Sequence, residues 1–357
     1  MNLGSLKLPL FLLASFLLVL APIDLTGLGL PWPGLKRYGT FILSLWLVTS
    51  IAAMGVNLIV GYAGQETLAQ AAFLGIGAYT TALMTKAGIP FAVAFIASGI
   101  LAFAVGWVLG FPALRVQKHY LAFVTLAFSV FVWLVIRNEE WLTGGVSGIQ
   151  DVPRPSVFGL SMKSAANFYW FTLAITGALT AAMWWLLRSP WGRAFTALRE
   201  NAVRAESLGI DVRGYKLLAF AIGSAYGGLA GSLYAPLVEF IDPAPFALGP
   251  SLLYLLMVVV GGAGSFVGPF IGAIVAVLMP LWLETGVSQI ANPMLKHLFS
   301  YLLVYAFLVM VMMAFCPTGI AGLVERLITP KRRPHSDDKG PTLGAAKAST
   351  TQTGTKP

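Results

Sequence analysis

Residues 60–65 read VGYAGQ and run on as ETLAQAAFLGIGAYTTAL to residue 83. The same V-G-x-A-G spelling returns at 260–265 as VGGAGS, followed by FVGPFIGAIVAV. Both stretches are mainly apolar, yet each carries closely spaced glycines, and the first has Gln65, Glu66, Thr67 and Gln70 directly behind them. Glycine-interrupted apolar segments in two parts of one chain point to helices broken inside a bilayer. On that reading Gly61 and Gly64 interrupt one helix and a new one begins near Gln65, Glu66 and Thr67. Its unpaired N–H groups and positive dipole end then face a pathway or a partner helix.

The surrounding composition agrees with a membrane setting. Of 357 residues, 57% are hydrophobic and 10% charged, against about 25% charged in soluble domains. Uncharged runs long enough for a bilayer core recur from end to end, each span needing about 20 apolar residues. A helical bundle follows, since a barrel would show short alternating segments. The net charge of +9 fits basic loops beside anionic lipid, so no nucleic-acid partner is expected. Cys316 is the single cysteine, and His119, His297 and His335 are scattered. No metal or other cofactor is therefore expected. The chain contains no Gly-Lys pair, which excludes the GxxxxGK[ST] phosphate cradle. No paired nucleophile and base stands out, so the chain is not read as an enzyme.

Breaks at Pro, Gly and charge give spans near 8–22, 40–61, 66–85, 90–111, 119–137, 169–187, 216–235, 248–262, 266–285 and 298–316. The expected fold is an all-α polytopic membrane bundle of about ten helices, with two loosely repeated halves and a cytoplasmic coupling helix. Residues 1–330 form the transmembrane domain, with the coupling loop at 188–216, and 331–357 form a polar, disordered cytoplasmic tail. The first span follows Lys7 and is read as retained rather than cleaved. Placing both termini, 112–118 and 188–215 in the cytoplasm puts most of the 23 Lys and Arg residues on that side, as expected for short cytoplasmic loops. The 66–85 segment either spans or is re-entrant.

Two glycine stripes stand four residues apart: Gly223, Gly227 and Gly231, then Gly264, Gly268 and Gly272. Such spacing lets helix backbones approach closely in lipid. Glu66 has two readings, a helix N-cap favoured by the dipole or a group lining a solute path. Gln65, Thr67 and Gln70 either hydrogen-bond a polar solute or tie helices together. Together with Gly61 and Gly64 they make the candidate substrate path.

The longest charged segment is RSPWGRAFTALRENAVRAESLGIDVRGYK, 188–216. Ser189 followed by Pro190 predicts a helix start, and Gly209 its stop. One amphipathic helix over 190–208 is expected, with Trp191, Ala194, Phe195, Leu198, Ala202, Ala205 and Leu208 on the apolar face. Arg193, Thr196, Glu200, Arg204 and Ser207 form the opposite face, with Glu200 and Arg204 spaced for an ion pair. By itself this suits a helix lying at a membrane surface.

The string ALREN...A..LGI....YKLLAF resembles the cytoplasmic loop of the membrane subunits of branched-chain amino-acid ABC importers. The likeness continues through NLIVGYAGQ.TLAQAAFLGIGAY at 57–79, FPALRV at 111–116, TLAF at 125–128, LTGGVSGI at 142–149 and VVVGGAGSFVGPFIGA at 258–273. It covers most of 40–325 in order. The chain departs from the family pattern at Glu66, usually apolar there, and near Thr67, Ala69 and Gln70. The resemblance implies that Arg193, Leu198, Arg199, Glu200, Asn201, Ala205 and Gly209 belong to an ATPase-coupling loop. It further implies a bacterial-type inner membrane, a second homologous permease subunit, two cytoplasmic ATP-binding subunits and an extracytoplasmic solute-binding protein. The function implied is ATP-driven import of leucine, isoleucine, valine or related small solutes. An ion-coupled secondary transporter is the alternative, with Glu66 as its one intramembrane acid of note.

Overall fold

The computed structural model describes residues 37–113, 118–157, 160–287, 319–320 and 322. The expected spans at 8–22 and 298–316 and the tail at 331–357 lie outside the described residues. Eleven α-helices make up the described chain: α1 Arg37–Val56, α2 Gln70–Lys86, α3 Phe91–Ala113, α4 Lys118–Asn138, α5 Glu140–Thr143, α6 Ala165–Arg188, α7 Pro190–Glu200, α8 Ala202–Ser207, α9 Val212–Val238, α10 Leu248–Gly261 and α11 Gly268–Val287. The end of α1 widens into a π-helical turn over Asn57–Tyr62. A two-residue antiparallel ladder, Ser156–Val157 with Leu160–Ser161, is the only strand pair among the described residues.

Five segments are long and apolar enough to cross a membrane: Tyr38–Tyr62, Phe91–Phe111, Leu121–Asn138, Ala165–Arg188 and Val212–Val238. The helices α2, α10 and the apolar part of α11 are shorter. The count of ten spans therefore becomes five full-length helices and shorter apolar pieces among the described residues. The shortening has a cause. The chain leaves helical geometry over 63–69 and 262–267, so α2 and α11 start later than the apolar runs that contain them.

α9 is the centre of the bundle. It packs along α1, α2 and α3, while α1 also meets α6, α10 and α11. Gly223 faces Ile59 and the Gly55 carbonyl, Gly227 faces Phe73 and Gln70, Gly228 faces Ala102 and Ser98, and Gly231 faces the Leu74 carbonyl. A methyl group at any of these positions would meet neighbouring atoms, in several cases backbone. Close approach of this kind replaces the hydrophobic drive that lipid removes.

Polar side chains fasten the same contacts. Thr81 Oγ1 bonds Ser232 Oγ at 2.7 Å, Tyr226 donates to the Leu179 carbonyl at 2.8 Å, and Trp46 Nε1 donates to the Phe270 carbonyl at 3.0 Å. The second glycine stripe is not one helix face. Gly264 sits in the 262–267 turn with φ +83°, and α11 starts only at Gly268, whose neighbours are Gly261 and Gly262; Gly272 packs on the Met257 backbone.

At one end of the bundle, the 139–164 connection folds over the α9–α10 link. Ile149 and Ile241 exchange backbone hydrogen bonds of 2.9 and 3.0 Å, and Arg154 pairs with Glu239 at 2.5 Å. The opposite end carries α7 and α8.

Gly231→Ala is expected to lower bundle stability by about 1–3 kcal/mol, the usual cost of forcing volume into packed space. Gly177→Ala, on the open side of α6 with nothing within 4 Å of a Cβ, is expected to be neutral or slightly stabilising. Thermal melts of the two variants in detergent, followed by helical circular dichroism, check the contrast.

Candidate functional site: the junction of α7 with two helix breaks

Both V-G-x-A-G stretches end at the α7 end of the bundle, and there they meet. Gly61, in the last turn of the π-helical segment, lies against Gly264. Asn57, buried in that segment, bridges the two: its Oδ1 accepts from the Gly264 N–H at 2.8 Å, and its Nδ2 donates to the Ser265 carbonyl at 2.8 Å. Ser265 Oγ in turn accepts from the Gly268 N–H at 2.9 Å, capping α11. One amide thus supplies both a donor and an acceptor to a turn that has left helical pairing.

From α7, Arg199 reaches into the same place. Its guanidinium donates to the Gly61 carbonyl and lies directly against Gly264, while its Cα, Cβ and Cγ pack on Gly64, 3.2–3.3 Å from where a Cβ would stand. Gly64 has φ +65°, a conformation that L side chains adopt only under strain. The carbonyls at a helix C-terminus lack intrahelical partners and carry the negative end of the dipole. A cation placed there answers both needs.

The first break continues as a non-helical segment before α2. Helix begins at Gln70, not near Gln65 to Thr67, and α2 has no acid in its first turn. The N-cap reading of Glu66 is therefore overturned: the cap position is Ala69, and Glu66 is exposed on the non-helical stretch before it. Locally, Thr67 Oγ1 accepts from the Ala69 N–H at 3.4 Å, and other helices supply the remaining partners. Thr125 Oγ1 accepts from the Leu68 N–H at 3.1 Å, and Ser251 Oγ accepts from the Ala71 N–H at 3.1 Å.

Gln65, Thr67 and Gln70 are buried. Gln65 Nε2 donates to the Lys216 carbonyl at 3.0 Å, and Gln70 Nε2 donates to the Ala52 carbonyl at 2.9 Å, in space left by Gly55 and Gly227. A cavity of about 220 Å³ between α2 and α4, lined by Ile76, Tyr79, Phe131, Val135 and Thr143 among others, includes none of the predicted path residues.

The coupling segment differs from its expected form. Ser189 caps α7 through the Trp191 N–H at 3.2 Å, with Pro190 opening the helix, and Gly209 at φ +83° ends α8. Between them the helix breaks. Asn201 adopts extended geometry and its Oδ1 caps α8 through the Arg204 N–H at 3.1 Å. The expected single helix over 190–208 is two, and among the described residues Glu200 and Arg204 form no ion pair because the break separates them.

The apolar face is redistributed too. Phe195, Leu198 and Ala205 are buried, with Phe195 edge-on to Tyr215 at 6.2 Å between ring centroids. Trp191 at 47%, Val203 at 75% and Leu208 at 81% exposure point away from the bundle. Arg193, Arg199, Glu200, Asn201 and Gly209 are exposed alongside them. Of the expected coupling residues, Leu198 and Ala205 thus face the bundle, Arg199 is partly exposed but sends its guanidinium to the Gly61 carbonyl, and Arg193, Glu200, Asn201 and Gly209 face outward.

Asn57 was missed in the sequence, although a polar amide four residues before Gly61 in an apolar span is itself a signal. Thr125 and Ser251 gave none, since Ser and Thr are common in membrane helices.

Against known proteins, the model of the branched-chain amino acid transport system / permease component family matches residues 39–313. The chain belongs to this permease family. It is 33% identical to the high-affinity branched-chain amino acid transport system permease protein LivM of Escherichia coli K12, with 77% of this chain and 76% of that protein covered. The LivM of Salmonella typhimurium is 31% identical over 82% of this chain and 78% of its own length. The autoinducer 2 import system permease protein LsrC of Escherichia coli O9:H4 is 24% identical over 70% of each chain. No solved structure matches the chain. These relatives are transport permeases rather than enzymes, and the permease family match spans both glycine breaks and the α7–α8 segment.

Asn57→Asp keeps the acceptor for Gly264 but turns a second oxygen toward the Ser265 carbonyl. The expected cost is about 1–3 kcal/mol, that of an unsatisfied buried group. Denaturation of the variant and of Asn57→Gln in the same detergent measures it.

Proposed function

We propose that the chain is the transmembrane subunit of an ATP-driven importer that carries branched-chain amino acids or closely related small solutes. The observation that carries this reading is the α7–α8 segment. One face is buried on the bundle, while the other presents Trp191, Val203 and Leu208 among Arg193, Glu200 and Arg204, all exposed. Apolar groups displayed beside charges on a connecting segment suit a protein partner, and the chain has no phosphate cradle of its own. The partner is the cytoplasmic ATP-binding subunit, which places the α7 end of the bundle in the cytoplasm and the 139–164 cover outside, toward a solute-binding protein.

Two ATP-binding subunits require two such docking surfaces, so a second permease subunit completes the assembly. The open faces of α3 and α4, with Ile96, Ile100, Val108, Phe123 and Phe131 exposed, are available to lipid and to that subunit. The first helix break borders the solute path at Glu66, with Gln65 and Gln70 shaping the break from behind. ATP-driven closure then shifts α7 and alternates access across the bundle by rigid-body movement.

The assembled complex tests this. Wild type is expected to co-purify with an ATPase at fixed stoichiometry and to import solute on ATP without an ion gradient. Charge reversal at the outward residues, Arg193→Glu with Glu200→Arg, is expected to release the ATPase while the bundle remains in the membrane. Uptake that follows an ion gradient and ignores ATP would sink the proposal.

Glu66→Gln is expected to change stability by no more than about 0.5 kcal/mol, as for exposed positions generally, and to alter uptake. Unchanged uptake would remove Glu66 from the path.

A further inference from the structure

We infer that Arg199 is the mechanical link through which movement of α7 reaches the bundle, by joining the C-terminal ends of two membrane helices to the docking segment. The inference rests on reading α7–α8 as the ATPase-docking surface. Three observations converge on one side chain. Its guanidinium donates to the Gly61 carbonyl at the end of the α1 π-turn. It also lies against Gly264, three residues beyond the end of α10, and its stem packs on Gly64. Both helices direct their negative dipole ends there; the cation takes the Gly61 carbonyl at the end of one and lies beside the turn that follows the other.

Asn57 binds the two termini to each other through Gly264 and Ser265, so they form one body, and Arg199 is the side chain that ties this body to α7. Glycine at 61, 64 and 264 is what admits it. A Cβ at Gly264 would occupy the position of the Arg199 Nη1 atom, and one at Gly61 would strike both Asn57 Oδ1 and the Gly264 backbone. The repeated V-G-x-A-G spelling is accordingly a receptor for one arginine. Arg199 is also exposed over part of its surface, which puts the link directly behind the docking face.

A positional measurement on the full complex, independent of which solute is carried, tests the link. Spin-label pairs are placed at the exposed positions Thr196, on α7, and Val267, and at Val146 and Val267, with Cys316→Ser to remove the native thiol. Distances are read before and after trapping with ATP and vanadate. In wild type, trapping is expected to leave the 196–267 distance unchanged and to shift the 146–267 distance, because α7 and the turn move together against the opposite end.

Arg199→Ala is expected to keep the ATPase bound, to let the 196–267 distance change on trapping, and to reduce the population showing the 146–267 shift by about tenfold, the effect of one charged hydrogen bond. Arg199→Lys, which still donates to Gly61, is expected to restore part of that shift. Should Arg199→Ala not assemble, Gly264→Ala displaces the guanidinium without removing its charge and is expected to give the same loss. A wild-type 146–267 shift in Arg199→Ala or Gly264→Ala overturns the link, as does its absence in wild type. Loss of the ATPase from Arg199→Ala makes the residue a docking contact and overturns it equally. Failure of the docking reading is seen separately, as retention of the ATPase by the Arg193 and Glu200 charge reversals.

Discussion

A backbone group freed from helical pairing inside lipid must be satisfied by protein, because the bilayer core offers no water. Two helix breaks, at 63–69 and 262–267, create that demand, and most of the polar contacts near α7 answer it. Asn57 supplies both halves of an amide to the second turn, Arg199 takes up the Gly61 carbonyl, and Thr125 and Ser251 accept from the start of α2. None of these partners is adjacent in sequence to the group it serves. The breaks are stable only because several helices are assembled around them.

The same demand explains why small residues dominate the centre. A side chain or backbone amide reaches a carbonyl on a neighbouring helix only if the two backbones are close. Along α9, Gly223, Gly227, Gly228 and Gly231 bring α1, α2 and α3 to that distance, and Gln70 occupies the gap left between Gly55 and Gly227. Packing and polar satisfaction are thus one arrangement. A larger residue at a contact both collides and withdraws a hydrogen-bond partner from reach.

At its outer margin the arrangement yields a surface of different character. α7 and α8 are held by Phe195, Leu198 and Ala205, while Trp191, Val203 and Leu208 stand exposed among charges. The break at Asn201 contributes to this division, since a single straight helix would have set Leu208 on the same face as Leu198; Trp191 stands exposed in the first turn of α7 itself. The permease family match covers that surface.

The amino-acid sequence determined the membrane class, the helical architecture, the close packing of the Gly223–Gly231 stripe and the caps at Ser189 and Gly209. These follow from composition, spacing and nearest neighbours along the chain, which are local properties. The sequence also marked both glycine stretches as breaks. Their meeting with each other and with Arg199 was decided only by tertiary structure, because Asn57 and Gly264 stand 207 positions apart and no local pattern carries that distance. The N–H groups at the start of α2 are likewise met from a distance, by Thr125 and Ser251 on other helices, with Thr67 as the local partner. Glu66 is accordingly an exposed group on the non-helical stretch before α2 and not a cap: where a helix begins depends on which neighbours can satisfy its first N–H groups.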